Sequence, residues 1–433
     1  MEQNITISIK PQVIGNYDVV VCGGGPAGFI AAVTAARSGA SVALVEQYGF
    51  LGGMATAGLV APISRFNLKG RRIIGGIPWE FVERMKELQG AIEEKPTGNI
   101  SFKPEIYKLV AQRMVLEAGV TLYLHSYLAG CQCDNGSISH IVIHTKKGYQ
   151  AIGAKYVIDC TGDADLAWMA GVPMQPAETN LQPVSLIFLL GGVDTTKMPL
   201  AHHDLENINM HDLQIKEELC RLEKTEIVPL FGGPWYCSIV EEGYLLVNMT
   251  RAEADMTDNV AATHAECILH EDVFRLVELM KTHIPAFKDA FLISTAPQAG
   301  VRETRRILGV HTLTGEEYLS GMDFIDSVSR GCHPVDIHHN GDTGQKCAFL
   351  EQAGYVPYRS LIASGFPNLL VAGRCFSADG VASASVRVQA SVMGLGQAAG
   401  VSAAICVQNN CSVAEVDVKK LRESLIALGT VLD

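Results

Sequence analysis

No apolar run in the chain reaches the roughly 20 residues that a membrane helix needs, and none of its 12 cysteines forms a Cys-x-x-Cys pair. The first absence argues against a spanning protein, the second against a dithiol disulfide-exchange mechanism. Cys131 and Cys133 stand too close together for that motif, while Cys22, Cys160 and Cys375 lie inside apolar segments, as in reduced compartments. The segment Met1 to Pro11 lacks the basic and apolar regions of a secretory signal, so a cytoplasmic location is expected. Positive charge is also scarce. With 34 Lys and Arg against 46 Asp and Glu, the net charge is −12 and both signs are interspersed. Neither nucleic acid nor an anionic membrane surface is therefore an expected partner. Internal repeats and low-complexity tracts are absent, and no second Gly-x-Gly-x-x-Gly follows a strand.

What remains is a 433-residue chain with 48% apolar and 18% charged residues, suited to a globular protein of about two or three domains. Its most informative stretch opens with the apolar run 17–22, continues through Gly23-Gly24-Gly25-Pro26-Ala27-Gly28 into an alanine-rich helix over 29–38, and ends in a second apolar run closed by Glu46. This is a strand–turn–helix–strand unit with a dinucleotide fingerprint at its turn. Gly23 permits the tight turn, Gly25 lets backbone N–H groups approach a pyrophosphate, and Gly28 lets the helix pack on the sheet. Pro26 and Ala27 belong to the same cofactor-binding turn, ahead of a helix whose N-terminus carries partial positive charge. Glu46 follows Gly28 by 18 residues, where a carboxylate takes the ribose hydroxyls and repels a 2′-phosphate.

Further along, 47–56 is a glycine-rich loop (Gln47, Gly53, Met54) suited to a backbone passing close to a cofactor. Helices are predicted over 78–89 and 103–118, the second starting at Pro104. Strands are predicted over 120–124, 138–144, 149–152 and 155–159. The last runs into Thr161-Gly162-Asp163 at a carboxyl edge, where open α/β sheets bind ligands. Composition shifts near Pro183. From 184 to 297 the pattern reads as an inserted unit with strands over 185–190 and 235–248. It also holds a polar surface helix or excursion over 202–224 and an amphipathic helix over 259–283. Ile268, Val273, Leu276 and Leu279 mark that helix's apolar face. A final strand over 368–372 leads into Gly373-Arg374. Residues 385–408 read as one helix containing Gly394, Gly396 and Gly400. Each glycine costs about 1 kcal/mol in a helix interior, so close approach to a cofactor or to the first helix is the expected reason.

Three late motifs complete the picture: Gly-Val-Arg-Glu-Thr-Arg-Arg (300–306), His-Pro-Val-Asp-Ile-His (333–338) and Val-Pro-Tyr-Arg-Ser-Leu (356–361), all before Asn-Leu-Leu-Val-Ala-Gly-Arg-Cys (368–375). Together with the N-terminal fingerprint, the chain resembles the FAD-dependent oxidoreductases related to the fumarate reductase and succinate dehydrogenase flavoproteins. The resemblance spans nearly the whole chain and thins over 197–234. It implies an α/β protein with a Rossmann-type FAD-binding domain built from both ends of the chain, 1–183 and 298–433. An α+β substrate or cap domain, 184–297, is inserted between them. It further implies that Gly23, Gly25 and Gly28 hold the pyrophosphate, Glu46 the adenosine ribose, and Gly373-Arg374 the remaining phosphate. The helix N-terminus between Arg387 and Gly396, including Gly394, would face the flavin. A homodimer follows only by family analogy.

The expected cofactor is FAD and the expected partner a small-molecule substrate. Arg302, Arg359 and Arg387 are candidate clamps for an acidic or hydroxylated substrate. The alternative is structural pairing, of Arg302 or Arg305 with Glu303. His333, His338 and His339, with Asp336 and Cys332, form the densest titratable cluster, and His338 is the pick for a proton relay. The spacing matches no zinc pattern, so no metal is expected. The candidate catalytic set is Arg302, Glu303, His338, Arg359 and Arg387. Two readings compete with hydride transfer on FAD: a flavin-binding redox sensor or assembly subunit without turnover, and an NAD-dependent dehydrogenase using the same fingerprint.

Overall fold

The computed structural model describes residues 8–95, 97–176, 180–198 and 210–433. The apolar run ending at Cys22 becomes β1 (Gln12–Cys22), and Val19 to Cys22 are buried on both faces of a sheet. Such two-sided burial is the environment of a central parallel strand. After α1 (Pro26–Arg37), β2 (Val42–Val45) pairs parallel with β1, Val20 opposite Ala43. Helices α2 (Ile77–Glu87) and α3 (Pro104–Glu117) follow and bury Phe81, Tyr107 and Met114 in the same core as Phe29 of α1. β3 (Thr121–Tyr123) extends the parallel sheet, and β4 (Tyr127–Asp134), β5 (Ser137–Thr145) and β6 (Gly148–Asp159) form an antiparallel meander that ends beside β1. The sheet order is β3-β2-β1-β6-β5-β4, and the strand Leu369–Val371, from the far end of the chain, pairs parallel with β6. The expected strands 149–152 and 155–159 are one continuous strand, because β1 and β5 pair along nearly all of its length.

A second core is built from 184–299, with Leu59 reaching into it from the N-terminal region. β7 (Phe188–Gly191), β8 (Phe231–Ser238), β9 (Leu245–Thr250) and β10 (Phe291–Thr295) form an antiparallel sheet in the order β8-β9-β7-β10. The expected strand 235–248 is thus a hairpin, turned at 239–244. Of the expected 202–224 excursion, residues 202–209 lie outside the described residues and the rest contains α4 (Met210–Leu222), which buries Ile215, Leu219 and Leu222 in this core. α5 (Asn259–His283) contributes Leu269, Val273, Leu276 and Met280; Ile268 is exposed, off the buried stripe.

The C-terminal region closes the first core. The expected helix 385–408 is two helices, α6 (Gly380–Val386) and α7 (Gln389–Asn409), broken at extended Val388. Asp379 starts the first by accepting from the Ala382 N–H at 2.8 Å. α7 is apolar and long enough to cross a membrane by length and composition, but 94% of its apolar window is buried inside the fold. It lies against α1 so closely that a Cβ on Gly396 would stand 2.1 Å from the Ala27 carbonyl oxygen, and one on Gly400 2.5 Å from that of Ala31.

Candidate functional site

The carboxyl edge of the parallel sheet opens into a long cavity that runs from Glu46 past the α1 N-terminus to the start of α7. Gly23 leaves β1 at φ +96°, and a Cβ there would lie 2.4 Å from the Cys160 carbonyl oxygen, so the turn admits glycine alone. Gly28 sits beneath it, where a Cβ would be 1.8 Å from the Gly23 oxygen. Gly25 differs. Its backbone is ordinary (φ −68°, ψ −175°), and the nearest atom to a Cβ would be the Gly53 Cα at 3.8 Å. The bare Cα of Gly25 therefore serves the cavity, which it lines with Pro26 and Ala27 at the positive end of α1.

Glu46 is 5% exposed, and its two oxygens accept from the Gly24 N–H at 2.6 Å and the Tyr48 N–H at 2.9 Å. Burial pushes its carboxyl up, and these backbone donors, with that of Gln47, hold it back. The bonds aim the carboxylate along the cavity wall with lone pairs to spare for vicinal hydroxyls. Opposite α1, Arg374 Nη2 pairs with Asp163 at 2.8 Å, Thr304 donates to the same carboxylate, and Arg305 pairs with Asp165 at 2.5 Å. Burial, then the Asp163 and Asp159 charges, pushes Asp165 up to about 6. Bare glycines at a helix N-terminus, followed by a buried carboxylate, fit a dinucleotide with its pyrophosphate at α1 and its ribose at Glu46.

The far end is built by the second core and the C-terminal region together. Arg302 Nη1 donates to the Pro183 carbonyl and to Ser185 Oγ (3.0 Å). Arg387, freed by the break before α7, donates to the Arg302 carbonyl at 3.3 Å, the Asp336 carbonyl at 2.8 Å and Gln182 Oε1 at 3.1 Å. β11 (Val335–His338) carries Asp336 and His338. Asp336 accepts from His338 Nε2 at 3.0 Å and Gln345 Nε2 at 2.5 Å. Burial alone would raise this carboxyl; the His338, Arg387 and His333 partners overturn that and hold it far below its usual range. His338 Nδ1 faces Arg251 Nη2 at 3.1 Å. A guanidinium only donates, so Nδ1 is the acceptor and Nε2 carries the proton. Burial, then the Arg302 charge, pulls His338 down to about 3. The ring is locked neutral with both nitrogens occupied, which removes it as the proton relay.

Of the expected cofactor residues, Gly23, Gly25, Pro26, Ala27, Glu46 and Gln47 line the cavity, as do Gly53, Met54, Thr161, Gly162, Asp163, Gly373 and Arg374. Gly28, Gly394 and Gly396 do not: the first and last serve backbone packing, and a Cβ on Gly394 would meet Ser329 Oγ at 2.4 Å. Arg302, His338 and Arg387 also converge there. Arg359 does not; it lies half-exposed on Asp326, bonded at 2.9 Å, where it anchors the turn after the strand Gly354–Pro357. Glu303 is spent on Gln182, accepting its backbone N–H at 2.8 Å and side-chain amide at 3.2 Å. Cys332 is buried with its thiol on the Arg65 carbonyl, and half-exposed His339 points at Asp342. Sequence reasoning missed Trp235 and Asn248, cross-strand partners on β8 and β9 that both line the cavity. The Glu241-Glu242-Gly243 turn was the signal for that hairpin.

A family model described as "FAD dependent oxidoreductase" matches residues 18–425. Over 41 residues, 10% of this chain and 9% of the other, the sequence is 54% identical to a dihydrolipoyl dehydrogenase of Trypanosoma brucei brucei. Among solved structures, a geranylgeranyl bacteriochlorophyll reductase-like protein of Thermoplasma acidophilum aligns over 97% of this chain and 94% of its own at 14% identity (TM-score 0.47). A p-nitrophenol 4-monooxygenase of Pseudomonas putida aligns over 95% and 84% at 10% identity (TM-score 0.49). The family match covers the glycine turn, Glu46, the inserted unit and the Gly373-Arg374 return alike, and the cavity they form suits the cofactor that the family is named for. The chain belongs to the FAD-dependent oxidoreductase family, as an enzyme whose cofactor is FAD.

Proposed function

We propose that the enzyme transfers a hydride between FAD and a small organic substrate bearing a carboxylate, working in the cytoplasm with no nucleic acid or membrane partner. The observation that carries the reading is Arg302. One arm of its guanidinium is fixed across the neck between the two cores, on Pro183 and Ser185, while Nε and Nη2 have no protein partner among the described residues. A planar fork fixed by one arm, with donors left over in a cavity, is suited to a carboxylate. Burial, then the Arg387 charge, pulls this guanidinium down to about 9, so it stays charged at neutral pH. The strongest counter-charge acting on it, Asp336, is committed to His338 and Gln345 and leaves the Arg302 fork open. Trp235 and Ile187 give the cavity an apolar wall on the inserted side. Bound FAD supplies two-electron chemistry at its N5. The chain's own part is to anchor the carboxylate, orient the substrate between the two cores and keep water away.

The test is anaerobic mixing of holoenzyme with hydroxy acids for oxidation, and of reduced holoenzyme with 2-enoates. At least one anionic compound should change the flavin's redox state, and Arg302→Met should slow that change about 100-fold with FAD content unchanged. Bleaching by a reduced nicotinamide alone, with oxygen then needed for product, would assign the enzyme to oxygenation instead. An Arg302→Met rate equal to wild type would remove the carboxylate.

A further inference from the structure

His333 shares the cavity with His338 but is held in a different state. Its Nδ1–H donates to the Pro334 carbonyl at 2.7 Å, and the Ser385 hydroxyl donates to the carbonyl of His333 itself, so ring and backbone are both fixed. A proton on Nδ1 leaves Nε2 as a bare acceptor. The residue is 6% exposed and lines the cavity. Burial pulls the imidazole down to about 4, and the charged groups facing it are Asp336, Arg65 and Arg387. The Nδ1 lone pair of His338 is taken by Arg251. His333 Nε2 is therefore the one cavity-lining imidazole nitrogen, among the described residues, whose lone pair is uncommitted. With Arg302, the far end offers an anion site and a neutral acceptor.

We infer that His333 Nε2 accepts a hydrogen bond from a substrate hydroxyl, so that the ligand is a hydroxy acid with its carboxylate on Arg302; this rests on the anionic reading above. An amino acid fits less well, because its ammonium would face the Arg302 and Arg387 charges. A buried acceptor left unpaired penalises the deoxy analogue, which turns one hydrogen bond into discrimination.

The test is calorimetric titration of dithionite-reduced holoenzyme, which cannot oxidise a hydroxy acid, with matched pairs: lactate and propionate, malate and succinate, mandelate and phenylacetate. Wild type should favour the hydroxy acid about tenfold in at least one pair. His333→Phe should abolish that preference while leaving the deoxy acid's affinity within about twofold. His333→Gln, whose Oε1 stands near the Nε2 position, should restore part of it, and this variant decides the matter if His333→Phe fails to retain FAD. Arg302→Met should weaken both members of a pair alike. Equal affinities in every pair, or a preference that survives in His333→Phe, would overturn the inference and leave the Arg302 reading intact. Unchanged binding in Arg302→Met, or no binding by any pair, would overturn the Arg302 reading instead, and with it the hydroxy acid.

Discussion

Gly25, which lines the cavity, and Gly396, which packs α7 on α1, predict opposite phenotypes for the same mutation to alanine. At Gly396 the added Cβ would lie 2.1 Å from the backbone oxygen of Ala27, which no rotamer change relieves, so α7 and α1 must part by about 1 Å. Overpacking of this kind costs about 1–3 kcal/mol. Removing a glycine from a helix interior returns about 1 kcal/mol, for a net loss of up to about 2 kcal/mol, the upper end applying because the clashing atom is backbone. The displacement falls on Ala27, which lines the cavity, so FAD binding weakens as well. At Gly25 the Cβ meets nothing nearer than 3.8 Å and the backbone suits any residue. The apo-protein should therefore be unharmed or gain up to about 1 kcal/mol from a stiffer unfolded chain. FAD affinity should nonetheless fall at least about 100-fold, because the methyl occupies the approach to the α1 N-terminus. Thermal melts of apo-protein, paired with calorimetric FAD titration, separate the two effects: Gly396→Ala lowers the apo melting temperature by about 2 °C, and Gly25→Ala lowers only the FAD-induced rise. A Gly396→Ala apo-protein that melts like wild type yet loses FAD would show that Gly396 touches the cofactor rather than α1, and the packing argument would fail.

Glu46→Gln places an amide where Gly24 and Tyr48 both donate, so one N–H loses its acceptor; FAD affinity should drop about 10–100-fold by fluorescence titration, and an unchanged value would remove Glu46 from the ribose site. Lowering the pH should destabilise the protein through His333 and His338, whose folded values near 4 and 3 lie below the ordinary 6.5. Their contribution is complete above pH 6.5 and drains as the pH falls, because the unfolded chain takes the protons that the fold refuses. Each group loses about 2 kcal/mol between pH 6.5 and 5. Asp165 and Asp272, raised to about 6, work in the opposite sense, so the check is a difference: denaturant titrations of His338→Gln should show a pH slope smaller than wild type by about 1.4 kcal/mol per unit over that window. Arg359→Ala should leave FAD content and turnover untouched and cost about 1 kcal/mol, since it strips a partner from buried Asp326; a turnover defect would return Arg359 to the site.

How legible each feature was follows the sequence distance over which it is decided. The β1–α1–β2 unit was readable because the turn, helix start and acid are fixed within 30 residues by glycine sterics and the apolar runs. The break before α7 was not, because extended Val388 is held by what Arg387 reaches: Gln182, 205 positions away, and Asp336, 51 away. The choice between the two histidines was also hidden. His338 loses its basic nitrogen to Arg251, 87 residues distant and on the other core, whereas His333 keeps one because its partner is the adjacent proline carbonyl. Arg302 shows why such roles collect where they do. An inserted unit must leave and re-enter its host through neighbouring strands, and Ser185 bridges to Gly300 where the chain does so. A residue just past the return, such as Arg302, can hold the exit strand with one nitrogen and turn the others into the cavity between the two cores. The motif 300–306 could be recognised in the sequence, but its place in the site follows from the chain's return beside Ser185, which sets Arg302 on a cavity wall next to both cores.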